Sequence, residues 1–86
     1  MEIGTLVSSL KGRDVGVIYI VYKKIDANFV LLVNGHNKLF TNPKKKRIKH
    51  LKNLGVIHTI IQEKLINDKK VFDAEVYSAI KKFKQE

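Results

Sequence analysis

From Val17 to Ile25 the chain carries β-branched and aromatic residues on both of its strand faces. Val17, Tyr19 and Val21 fall on one face and Ile18, Ile20 and Tyr22 on the other. A strand with one solvated face alternates apolar and polar residues, so this strand must be covered on both sides. With only 86 residues and no cysteine, the cover has to come from the chain's own packing, without disulfides or thiolate metal sites. At this length a single domain is expected, burying about 60% of the surface its unfolded chain exposes. Hydrophobic residues make up 44% of the chain, which is enough for a core and outside the regime of disorder.

The first half reads as short strands between turns. Thr5 to Leu10, Val17 to Ile25 and Phe29 to Val33 are apolar runs, separated by Lys11-Gly12-Arg13-Asp14-Val15-Gly16 and by Asp26-Ala27-Asn28. Asn34-Gly35 is the pair most favoured in a two-residue type I′ hairpin, which predicts that Asn37 to Thr41 returns beside the third strand. Four or five short strands joined by tight turns suggest a curled antiparallel sheet or small barrel.

Beyond Pro43 the period changes. Ile57, Ile60, Ile61 and Leu65 recur at helical spacing, predicting a helix over about His58 to Ile66. A second helix is marked by Asp73 as N-cap, Glu75 in the first turn, and Val76, Ala79, Ile80 and Phe83 on one face. Lys81, Lys82 and Lys84 complement the negative end of its dipole and are discounted as ligand contacts for that reason. The fold class is therefore α+β, with two C-terminal helices covering the sheet. Residues 1–53 form the sheet portion and residues 54–86 a helical extension of the same domain.

The net charge is +9, from 17 Lys plus Arg against 8 Asp plus Glu. Two-thirds of it lies between Lys44 and Asn53, where Lys44, Lys45, Lys46, Arg47, Lys49 and Lys52 face no acid. Cations gathered this densely repel one another and call for a compensating polyanion, nucleic acid before an anionic membrane. The longest apolar run, Val15 to Tyr22, is eight residues, against the roughly 20 a spanning helix needs. The opening Met-Glu-Ile-Gly-Thr lacks the pattern of a secretory signal. No basic amphipathic helix with a large apolar face marks a membrane-surface binder. A cytoplasmic protein without membrane association is expected.

Three stretches, Gly4-Thr5-Leu6-Val7, Gly12-Arg13-Asp14-Val15-Gly16 and Val17 to Val21, together resemble the KOW motif, with Gly16 in the place of its signature glycine. The likeness extends through Asn28 to Gly35, Pro43-Lys44-Lys45-Lys46 and Lys49-His50-Leu51, and is greatest to the eukaryotic-type large-subunit ribosomal protein fourteen family and its small bacterial relatives. It covers residues 3 to 52. The resemblance implies a Src-homology-3-like barrel whose loops contact RNA, with ribosomal RNA and neighbouring ribosomal proteins as partners. The free protein is expected to be a monomer. The resemblance also implies that the Lys11 to Val15 loop and the Lys44 to Lys52 segment lie side by side.

On that surface Arg13 either grips a phosphate or stacks on a base, or else pairs locally with Asp14. Lys11, Lys44, Lys45, Lys46, Arg47, Lys49 and Lys52 would supply phosphate point charges, His50 an additional contact, and Lys38 one from the hairpin tip. Most aromatic residues occupy apolar-periodic positions, so recognition of RNA shape and backbone is expected over base identity; Phe40, beside the basic run, is the exception. His36, His50 and His58 share neither metal-ligand spacing nor a carboxylate partner, and His36 and His58 read as ordinary surface residues. The acids are scattered singly, and no nucleophile motif or phosphate-binding glycine loop occurs, so neither an enzyme nor a cofactor is expected. A protein-interaction module of the same barrel shape, docking a partner on the Ile57, Ile60, Ile61 and Leu65 face, is the alternative from another functional class.

Overall fold

A computed structural model describes all 86 residues. Five strands, β1 (Thr5–Ser9), β2 (Ile18–Lys24), β3 (Phe29–Val33), β4 (Lys44–Arg47) and β5 (Leu51–Ile57), form one antiparallel sheet in the order β4-β3-β2-β1-β5. Two helices follow, α1 (Thr59–Ile66) and α2 (Asp73–Lys84). No helix is long and apolar enough to cross a membrane.

β2 is the central strand, and both of its faces are covered. Ile18, Ile20 and Tyr22 pack with Leu6 and Val33 against Ile61 of α1, Val71, and Val76 and Ile80 of α2. On the other face Tyr19 and Val21 pack with Val7, Val30, Leu32 and Leu51. The helices thus cover one face, and the curl of the sheet onto itself covers the other. Full burial of each Val, Leu or Ile contributes about 1.5–3 kcal/mol, so two clusters can hold a chain that has no staples.

The curl follows from connectivity. β4 and β5 are the two edges of the sheet, yet only the 3₁₀ turn Ile48–His50 joins them. In a flat sheet those edges would stand about 19 Å apart, four strand spacings, whereas three residues of 3₁₀ helix advance only about 6 Å. The sheet therefore bends until the end of β4 and the start of β5 come together at this turn. Hydrogen bonds fix the meeting point on both sides: Ile48 N–H donates to Asn28 O (2.8 Å) and Leu10 N–H to His50 O (2.9 Å).

Several local expectations are corrected. The strand beside β3 is not Asn37 to Thr41 but Lys44–Arg47, in register Phe29↔Arg47 through Leu32↔Lys44. Asn34-Gly35 does not make a two-residue hairpin, because Asn34 Oδ1 accepts hydrogen bonds from the N–H groups of His36, Asn37 and Lys38 (2.9–3.2 Å) and caps a wider loop. Gly35, at φ +72°, sits so close to α2 that a Cβ there would overlap the Asp73 carbonyl and the Tyr77 amide. Asp73 is the first residue of α2 rather than its cap, and its Oδ1 accepts the Phe40 N–H (3.0 Å), tying that same loop to the helix. His58 is no ordinary surface residue: it is the N-cap of α1, its Nδ1 accepting the Ile61 N–H at 3.2 Å. Within the face expected from periodicity, Ile61 is buried, while Ile57 belongs to β5 and Ile60 is exposed.

Candidate functional site

Because β4 is a strand, its side chains alternate, and the basic run is divided between two faces. Lys44 and Lys46 lie opposite Leu32 and Val30 on the face that holds the second core cluster, and Lys45 and Arg47 point the other way. One run of charge therefore does two different things.

The inward pair converges on Asp14. Lys46, only 9% exposed, places Nζ 2.8 Å from Asp14 Oδ1 and donates to the Lys11 carbonyl at 2.7 Å. Lys44 Nζ stands 3.6 Å from Asp14 Oδ2. Ser9 Oγ donates to Asp14 Oδ1 (2.8 Å) and Tyr19 OH to Oδ2 (2.7 Å). Burial alone pushes the Asp14 carboxyl up, but hydrogen bonds from Lys46, Tyr19 and Ser9 and the charge of Lys44 outweigh it and hold the group well below the usual carboxylate range. Tyr19 is pushed above its ordinary value by burial first and by the carboxylate it bonds second. The cluster joins the Lys11–Gly16 loop to β4, so the two segments expected to lie together do so. Gly16, at φ +86°, closes that loop, with its N–H on Ser9 O and the Val17 carbonyl accepting from Ser9 N–H.

The outward set is free. Lys11, Arg13, Lys45, Arg47, Lys49 and Lys52 are exposed, and none forms an ion pair. Arg13 does not pair with Asp14, whose oxygens are taken by lysines, tyrosine and serine. Lys45 Nζ and Arg47 Cζ lie 4.7 and 4.8 Å from the Phe29 ring centroid, so the ring supports both cations on the outer surface. At the 3₁₀ turn the His50 imidazole is held below its ordinary value, by desolvation first and then by the charges of Lys11, Lys49, Arg47 and Lys46. The Leu10 N–H donates to the His50 carbonyl at 2.9 Å, which brings the start of the Lys11 loop beside this turn.

Lys38 is not brought to this surface. It sits in the loop after Asn34, at the Val33 end of β3, whereas Arg47 pairs with Phe29 at the other end. Phe40 is not a stacking platform either; it packs edge-on against Tyr22 at 4.9 Å and joins the core beneath the helices. The residues that sequence reasoning passed over are Asp14, Tyr19 and Phe29. A signal for the first existed: Asp14 is the only acid between Glu2 and Asp26. The histidines lie apart, His36 beside Tyr77, His50 in the 3₁₀ turn and His58 on α1, and no three His, Asp or Glu side chains gather as metal ligands. Compared with known proteins, the chain matches no family model and no curated protein sequence.

Proposed function

We propose that this protein is an RNA-binding domain that holds structured RNA by its phosphate backbone and works in association with the ribosome. The observation that carries the reading is a set of six exposed cations, free of any carboxylate, on the Lys11–Arg13 loop, the outer side of β4, the turn that follows and the start of β5. Exposed cations without partners are the footprint of a polyanion site. The curled five-stranded sheet, the 3₁₀ turn between its edges and the positive φ of Gly16 support a KOW-type, Src-homology-3-like barrel as its framework.

In this mechanism the lysines act as point charges along the backbone. Arg13 and Arg47 supply planar forks that match two phosphate oxygens at once. Lys46, and in part Lys44, are not ligands in it: they neutralise Asp14 and so fix the loop that presents Arg13. Such contacts set position and affinity and carry little sequence information. Titration of a structured RNA hairpin at several salt concentrations tests the reading. Neutralising about six phosphates predicts a log-affinity against log-salt slope of roughly −4 to −5, and a slope near zero would contradict it.

A further inference from the structure

The groove between the Val15–Ile18 segment, the Asn34–Asn37 loop and the second half of α2 measures about 640 Å³ and lies outside the basic surface described above. Val17, His36, Asn37, Tyr77, Lys81 and Lys84 line it, and none of its lining residues is acidic. Tyr77 is 47% exposed although it stands on the helix that covers the sheet. The His36 ring lies beside it, centroids 6.3 Å apart and planes tilted by 40°. Helix electrostatics accounts for lysines in the last turn, but leaves the ammonium groups of Lys81 and Lys84 without a carboxylate partner.

We propose that this groove is a subsite for one unpaired nucleotide, the base stacking on Tyr77 beside His36 and the phosphate lying between Lys81 and Lys84. Asn37 supplies the edge contact. Its Oδ1 accepts from Asn34 Nδ2 at 2.9 Å, which orients the amide and leaves its own nitrogen to donate to a base oxygen or ring nitrogen.

An acidic peptide is the competing ligand for an apolar, positively charged groove, and the backbone argues against it. The N–H groups of Val15, Gly16 and Val17 bond to Gly12, Ser9 and Asp14 carbonyls, and those of Asn34 and Gly35 to Lys38 O. The N–H groups of His36 and Asn37 bond to Asn34 Oδ1. An extended peptide would find no main-chain donor on these loops, whereas a base and a phosphate need only ring faces, an amide and ammonium groups. The inference rests on the RNA-binding reading for the origin of the nucleotide, since the same chemistry would accept a free mononucleotide.

Backbone-amide NMR of the full chain separates these cases, using a mixed-sequence single-stranded hexanucleotide, a blunt RNA duplex, AMP and a glutamate-rich peptide as probes. The hexanucleotide should shift the amides of Gly16, Asn37, Tyr77 and Lys81, and Tyr77→Ala should weaken it about tenfold, from the loss of one stacked base. Tyr77→Phe keeps the ring and should bind as the parent does, so any folding defect in the alanine variant does not decide the matter. Duplex affinity should be unchanged in both variants. AMP shifting the groove amides as tightly as the hexanucleotide would support the site and identify a free nucleotide as its ligand. Duplex binding at Arg13 and Arg47 with no groove shifts from any nucleotide overturns the subsite alone; groove shifts without duplex binding overturn the phosphate-surface reading alone. Equal losses in Tyr77→Phe and Tyr77→Ala, or tighter binding by the peptide, also overturn the subsite.

Discussion

Lys46 and Arg47 are neighbours in one strand and have opposite fates. Lys46 is buried and bonded to Asp14 and the Lys11 carbonyl; Arg47 is exposed, unpaired and laid against Phe29. The same alternation separates Lys44 from Lys45. Net charge therefore overstates the surface that faces a ligand, because part of it is consumed in holding the loop that carries Arg13. The inward half is structural, and its loss should appear in stability. The outward half is the part that the proposed function assigns to RNA, and its loss should appear in salt-dependent affinity.

The comparison breaks hardest at Asp14. Replacing it with alanine leaves the Lys46 ammonium buried without its carboxylate, a change that costs about 3 kcal/mol or more. Urea unfolding should show that loss, while Lys45→Ala stays within about 0.5 kcal/mol of the parent, as surface substitutions do. A triple change of Lys44, Lys45 and Lys46 to glutamate would confound the two halves, since Lys46 belongs to the fold.

pH sharpens the same contrast. Asp14 is depressed in the folded state, so its stabilisation is fully present above the unfolded carboxylate value and is lost as pH falls toward the folded one. Urea midpoints should therefore decline steadily below about pH 4, and more steeply for the parent than for Asp14→Asn. Equal declines would show that the carboxylate is not specially held.

A smaller effect is expected at Gly16. Alanine there must adopt φ +86°, costing about 1–2 kcal/mol, with open space around the new Cβ. Stability should fall without a change in salt slope, because the loop's cations remain exposed. Smallest of all is His50→Gln. Glutamine there leaves the six exposed cations in place, so RNA affinity should change little and the salt slope should not move.

Much of this was legible in the residues. β2 announced its burial by being apolar on both faces, and α2 by its apolar period, its acidic start and its basic end. The approach of the Lys11 loop to the basic segment followed from the family resemblance. β4 was hidden because Lys44-Lys45-Lys46-Arg47 has no apolar alternation to read; only its partners, Leu32 and Val30 on one face and Phe29 nearby on the other, distinguish inward from outward. β5 was hidden for a related reason: apart from Leu51 its residues are exposed or half-buried, and Gly55 interrupts them. Asn34-Gly35 misled because the Asn34 side chain accepts from three following N–H groups and so caps a wider loop than the pair's turn preference implies. Asp14 required knowing which lysines would face it, a tertiary fact.

The most direct measurement is the salt dependence of hairpin RNA binding for the parent and for Lys45→Ala/Arg47→Ala, with urea midpoints taken alongside. The division of β4 predicts that the double variant keeps its midpoint while its slope becomes shallower by roughly 1.4–1.8, two phosphate contacts fewer. An unchanged slope, or a slope that falls only together with stability, would contradict it.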